Sequence, residues 1–183
     1  MTGSLALVPA AAHPELVAAP VAAALAGWHR APEVRVAPID AELADTAAFC
    51  AAYDVPLEIS ANCVIVAGRR GEVTRHAACL VLATTRLDVN GTVRGLLEAR
   101  KASFAPMDDA VARTGMEYGG ITPIGIPAEW ALLVDARIPA LPEVVVGAGI
   151  RAAKLVLPGA ALADLPGARV IESLAKEPPT TGG

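Results

Sequence analysis

The chain reads as an α+β domain: a mixed, strongly curved or barrel-like sheet of about six to seven strands, with helices around it. Three observations lead there. Segments of strand length follow one another in runs instead of alternating regularly with helices. One of them, Thr74–Thr84, is too apolar to lie on the surface, so it belongs in the core. About seven such segments are enough for a sheet to curl toward closure. With 183 residues the chain can bury a proper core within one domain, expected over residues 1–175.

The elements follow in order. Pro14–Gly27 reads as helical, with Leu16, Val17, Val21 and Leu25 on one side; Pro20 either kinks it or starts it. Val34–Ile39 alternates like a strand. Asp45 or Thr46 caps a helix to about Tyr53, ended by Val55-Pro56. Asn62–Ala67 is a short buried strand, GRRGE a turn, and Thr74–Thr84 the second arm of a hairpin. Asn90 is the expected cap of a helix to about Arg100 that buries Val93, Leu96 and Leu97. Asp108 and Asp109 open another helix, closed by Gly115. Strands are expected near Ala131–Ile138, Glu143–Val146, Lys154–Leu157 and Arg169–Ile171, with a short helix at Ala160–Leu165. Residues 176–183, KEPPTTGG, are expected to form a disordered tail.

Composition narrows the function. Hydrophobic residues make up 54% and aromatics only 3%, so the core is built from Ala, Val, Leu and Ile. A formal net charge of -4 argues against coating nucleic acid by bulk attraction, but allows a local basic groove. Cys50, Cys63 and Cys79 form no CxxC pair, which fits reduced core thiols. The apolar start lacks a basic leader region, and Leu16–Trp28 is too short to span a bilayer. The expectation is a cytoplasmic protein whose partners are neither a membrane nor DNA.

Several catalytic patterns are missing. His13, His29 and His76 are scattered, so no metal site is expected, and no cofactor loop of the GxGxxG or Walker type occurs. None of the four serines lies in GxSxG. One segment stands out: Tyr118-Gly119-Gly120-Ile121-Thr122-Pro123-Ile124-Gly125. Paired glycines leave room for a ligand against the backbone, and the N–H groups around them suit an oxyanion or a carbonyl. The plainer reading is a tight turn before the strand at Ala131.

The stretch Lys101–Pro127, KASFAPMDDAVARTGMEYGGITPIGIP, resembles the YbaK/ProX family of aminoacyl-tRNA editing deacylases. That family carries a lysine followed, after two variable residues, by Phe or another apolar residue and alanine, then a short helix and a Gly-Gly-Ile/Val-Ser/Thr-Pro-Phe/Leu/Ile-Gly loop. The order of elements agrees from about Asp45 to Leu174. The resemblance implies hydrolysis of the ester of mischarged tRNA, assisted by a ribose hydroxyl of the substrate, with the glycine loop on the carbonyl. It implies catalytic roles for Gly119, Gly120, Ile121 and Thr122, and substrate contacts at Tyr118 and Pro123. The implied partners are an aminoacylated tRNA end and an aminoacyl-tRNA synthetase.

The sequence also departs from the family. Asn62 stands where relatives carry a lysine that serves the tRNA end, so the position keeps its hydrogen bonds but loses its charge. The turn at Gly147 lacks the Ser or Asn often found there, and Lys154 falls where some relatives carry an acid. Either Lys154 or Lys101 supplies the missing cation to a rewired pocket, or activity is reduced or gone; Asn62 either contacts substrate or satisfies nearby backbone. Arg69, Arg70 and Arg75 on or near one turn are candidates for tRNA contact, as are Arg94, Arg100 and Lys101 on or just past one helix; the plain alternative is a solvated surface. Two further classes stay open: a non-catalytic module that binds a small amino acid or an aminoacyl-tRNA end, and an accessory protein docked on a synthetase.

Overall fold

The computed structural model describes residues 2–178. The N-terminal part supplies β1 (Val8–Pro9), α1 (Ala19–Gly27), β2 (Arg35–Pro38) and α2 (Thr46–Tyr53). Pro20 sits in the first turn of α1, where its missing N–H costs nothing, so the proline starts this helix instead of kinking it. Asp45 caps α2 by accepting from the N–H groups of Ala47 and Ala48. The long hairpin β3 (Ala61–Arg70) and β4 (Val73–Leu82) follows.

The middle of the chain holds β5 (Arg86–Leu87), α3 (Arg94–Leu96), β6 (Lys101–Phe104) and α4 (Met107–Thr114). The expected helix from Asn90 to Arg100 is only α3 and a preceding π-type turn at Val89–Val93. Its cap is Asp88, which binds the N–H groups of Gly91 and Thr92. Val93 and Leu97 are buried as expected, but Lys101–Phe104, a segment to which the sequence assigned no element, pairs with β3 as an edge strand. Gly115 closes α4 with φ +66°, a left-handed conformation that suits glycine.

The last part contributes β7 (Ala131–Asp135), β8 (Val144–Gly147), β9 (Ala153–Leu157), α5 (Gly159–Ala163), β10 (Ala168–Ile171) and β11 (Ala175–Lys176). The tail expected from residue 176 begins with Lys176 still paired to Arg86, and residues 179–183 lie outside the described residues.

The mixed α+β class holds, but the barrel-like sheet does not. The strands form a four-stranded sheet β1-β2-β9-β8, a five-stranded sheet β10-β7-β4-β3-β6 and a two-stranded ribbon β11-β5. Closure needs strands paired continuously around the ring. Here β6 and β10 remain edges, and among the described residues the only β-bridge between the two large sheets is the isolated one between Ser60 and Val145.

The sheets are layered through side-chain alternation. Ile65, Leu80 and Val134 from one sheet and Val146, Leu155 and Leu157 from the other enter the same apolar cluster. The opposite face of the five-stranded sheet buries Val66, Cys79, Val81 and Leu133 under α3. On the far side of the four-stranded sheet, Phe49 of α2 packs with Val145 and Val156. Leu133 has no exposed surface. Leu133→Ala is expected to lower stability by about 2–5 kcal/mol, and Val170→Ala on the exposed edge by less than about 0.5 kcal/mol. Denaturant melts of the two variants check this.

Candidate functional site

A cavity of about 660 Å³ opens where the start of β3 approaches α2, the end of β8 and the loop after α4. Its wall includes Asn62 and Cys63 of β3, Asp45 and Thr46 of the α2 entry, Tyr118, Gly119 and Ile121, Gly147, and Lys154 of β9. Residues from five separate parts of the chain therefore share one hollow.

Two glycine turns form its floor. Glu117 N–H donates to the Gly149 carbonyl at 2.8 Å, and Gly149 N–H donates to the Gly120 carbonyl at 2.7 Å. A Cβ on Gly120 would lie 2.6 Å from the Ile150 carbonyl group, and one on Gly147 would run into the Gly120 carbonyl. The turns thus lie backbone against backbone, which only residues without side chains permit. Gly119 has φ +86°, and a Cβ there would meet the Arg151 guanidinium.

Arg151 ties this floor in place. Its backbone N–H donates to Glu117 Oε2, and its guanidinium donates to the carbonyls of Tyr118 and Ala41 at 3.3 and 3.0 Å. Sequence reading missed this residue, and its place two positions beyond a glycine turn is no signal by itself.

The hydrogen-bonding capacity left for a ligand is specific. Gly120 N–H is used by the Glu117 carbonyl at 2.9 Å. The N–H groups of Gly119 and Ile121 have no partner among the described residues. Thr46 donates to Asn62 Oδ1 at 2.7 Å, which leaves the two amide N–H donors of Asn62 for the cavity.

Lys154 is buried with its methylenes in the wall. Its ammonium donates to the Ala44 carbonyl at 2.9 Å and lies 5.1 Å from the centre of the Phe49 ring. Burial pushes its pKa below the ordinary lysine value, while Cys50 and Asp45 act in the opposite sense. Burial also raises the Cys63 thiol far above its usual value and Cys79 to about 12, so neither offers a thiolate at neutral pH.

The remaining sequence candidates lie elsewhere. The Thr122 hydroxyl is buried without a partner among the described residues, and Thr122 does not line this cavity. Pro123 lines a separate apolar cavity with Trp28 and Trp130. Lys101 and Arg69 line a third cavity, whereas Arg70 faces the other side of β3 and reaches the Glu98 carbonyl. Phe104, 65% exposed, borders the main cavity as Tyr118 does, and sequence reading passed over it.

The model of the family described as "Aminoacyl-tRNA editing domain" matches residues 40–165, well over half of the chain. The chain belongs to the aminoacyl-tRNA editing domain family. The matched segment contains every cavity residue named above, from Asp45 to Lys154.

Solved structures agree with this fold. A candidate trans-editing enzyme for prolyl tRNA synthetase is similar with TM-score 0.72 and 22% identity, over 87% of this chain and 96% of that one. A scaffold protein from epitope backbone grafting by computational design gives TM-score 0.72 and 23% identity, over 88% and 97%. A hypothetical protein gives 0.70 and 22%, over 80% and 94%. At these identities the likeness concerns the editing-domain fold alone. No curated protein matches in sequence. Among the described residues, no helix is long and apolar enough to cross a membrane.

Two stability outcomes follow from this packing. Gly147→Ala is expected to cost about 1–3 kcal/mol or more through overpacking, whereas Gly95→Ala, with open space at its Cβ, is tolerated. Thermal melts of both variants compare them. Because the folded pKa of Lys154 is lowered, its contribution to stability is full above its ordinary value of 10.5 and is lost as pH falls through the folded value. Lys154→Met should therefore abolish a rise in stability with pH across that window, read from melts at stepped alkaline pH.

Proposed function

We propose that the protein hydrolyses the ester of a mischarged aminoacyl-tRNA in the cavity floored by the glycine turns. The observation that carries this reading is the meeting of donors at one hollow: the unspent Gly119 and Ile121 N–H groups, the Asn62 amide, and Lys154, whose ammonium keeps two N–H donors beyond the one given to the Ala44 carbonyl. Water adds to the acyl carbon, the ester C–O bond breaks, and the products are a free amino acid and a tRNA with its ribose hydroxyl restored.

Each residue then has a role. The N–H groups of Gly119 and Ile121 hold the carbonyl oxygen as it gains charge. Gly120 shapes the loop instead of donating, since its N–H is already used. Asn62 and Lys154 orient the ribose end and the amino-acid moiety, with Lys154 supplying from β9 the cation absent at Asn62. The exposed rings of Tyr118 and Phe104 at the mouth offer faces for the terminal base. Gly147 keeps the floor close, and Thr122 and Pro123 stiffen the loop from behind. An aminoacyl ester is already activated, so positioning and electrostatics suffice without a protein nucleophile.

On this reading residues 1–175 work as one editing domain, in the cytoplasm where charged tRNA is found. The neighbour connected with prolyl tRNA synthetase makes tRNA charged by that enzyme the first substrate to try. A second reading, binding of the aminoacylated end without hydrolysis, draws on the uncharged Asn62.

A panel of charged tRNAs, scored for loss of the ester, separates the two. Hydrolysis of at least one member is expected; none turned over, with binding retained, establishes the second reading. Asn62→Ala should lower turnover about 100-fold while leaving the melting temperature nearly unchanged, because Asn62 is exposed. Asn62→Lys should raise tRNA affinity several-fold, consistent with about 1 kcal/mol for one solvated phosphate contact. Equal turnover in wild type and Asn62→Ala would remove Asn62 from the site.

A further inference from the structure

A second polar hollow, of about 650 Å³, lies on the same face of β3 as the cavity and on the other side of α4. Ile65 of β3 lines the first; Ala67 and Arg69, on the same face of the strand, line the second, roughly 13 Å along for the four residues. Helix α4 is shared in the same way, with Ala110 toward the first and Asp109 and Arg113 toward the second.

The charge in this hollow is unusual for the chain. Arg69, Arg94, Arg100 and Lys101 are exposed and have no carboxylate partner among the described residues. The one acid present, Asp109, is occupied by Arg113 at 2.6 Å and His76 at 3.2 Å, which hold its carboxyl below the ordinary value. Arg69 and Lys101 are directly opposed across the β3–β6 ladder. Like charges in that position repel and destabilise the strand pair, so a bound anion relieves a cost built into the fold. All this occurs on a protein of net charge -4.

The geometry points to a binding site for the RNA sugar-phosphate backbone in this hollow, made by Arg69, Arg94, Arg100 and Lys101. It holds phosphates of the tRNA that lie just inward of the aminoacylated end seated in the main cavity. Three of the four cations are arginines, whose planar forks pair with phosphate oxygens in two-point contacts. This rests on the editing reading, and it regroups the cations: Arg69 belongs with Lys101, whereas Arg70 lies on the opposite face with Arg75 and Glu98.

The test is the salt dependence of binding to uncharged tRNA, which has no ester to hydrolyse. The slope of log affinity against log salt should fall in magnitude by about 0.7–0.9 for each phosphate contact removed, hence by about two to three in the triple variant Arg69→Ala, Arg94→Ala, Lys101→Ala. Arg169→Ala, an exposed cation on the far edge strand β10, should leave it unchanged. Melts of these surface variants establish that they are folded. A triple variant with the wild-type slope overturns the site, as does an equal effect of Arg169→Ala. Polyglutamate bound as tightly as tRNA at equal salt also overturns it, in favour of an acidic polypeptide partner. Deacylation of charged tRNA is followed in parallel. Hydrolysis with an unaltered slope sinks the groove and leaves editing standing; a reduced slope without hydrolysis supports the groove and counts against editing.

Discussion

The contact on which the rest of the site depends is the backbone-to-backbone packing of two glycine turns. Gly120 and the turn that starts at Gly147 come from segments separated by β7, yet the Gly120 carbonyl fills the space where Gly147 would carry a side chain, and the Ile150 backbone fills that of Gly120. Two hydrogen bonds, from Glu117 to Gly149 and from Gly149 to Gly120, join them. Buried backbone groups must find partners, and here each turn provides them for the other. What the pairing does not consume, the N–H groups of Gly119 and Ile121, is left beside the cavity. The same contact anchors α1, because Ala18 N–H donates to the Ala148 carbonyl at 3.0 Å.

The site above this floor is neutral at its β3 side and cationic at its β9 side. Asn62 is held by Thr46, itself the first residue of α2, so the helix that Asp45 caps also orients the amide. Lys154 enters from the opposite wall, with a carbonyl and an aromatic face compensating part of the cost of burial. Under the proposed function, substrate selection would depend on hydrogen-bond geometry at Asn62 and on charge at Lys154, two residues on separate strands of the cavity wall. A separation of this kind ties the site to the relative placement of the two sheets, which touch at the Ser60–Val145 bridge just below the cavity.

Charge on the protein surface follows a similar logic of segregation. The chain carries 19 acidic and 15 basic residues, and the described ion pairs neutralise cations such as Arg30, Arg113 and Lys176 locally. The cations along β6 and α3 escape this pairing. For the proposed RNA groove, an acidic body would repel the polyanion at long range, so attraction confined to one face would favour a single orientation of approach.

Much of this protein was determined by sequence alone. The helix start at Asp45 or Thr46, the cap at Gly115 and the hairpin arms at Asn62–Ala67 and Thr74–Thr84 are local patterns, set by turn chemistry and by the two-residue period of strands. Local patterns cannot decide how sheets join. Whether about seven strands close into a ring or split into two layers depends on pairing between distant residues, and here β8 binds β9 rather than extending along β3. The same applies to short elements: Lys101–Phe104 became a strand because β3 offered it a free edge. Within the loop, Gly119, Gly120 and Ile121 look equivalent in sequence, and the folded turn decides which N–H is spent, by bringing the Glu117 carbonyl to that of Gly120. The sorting of Arg69 from Arg70 has an equally physical cause. Neighbours in a strand point to opposite faces, so two adjacent arginines were divided between two surfaces as soon as β3 ran on to Arg70.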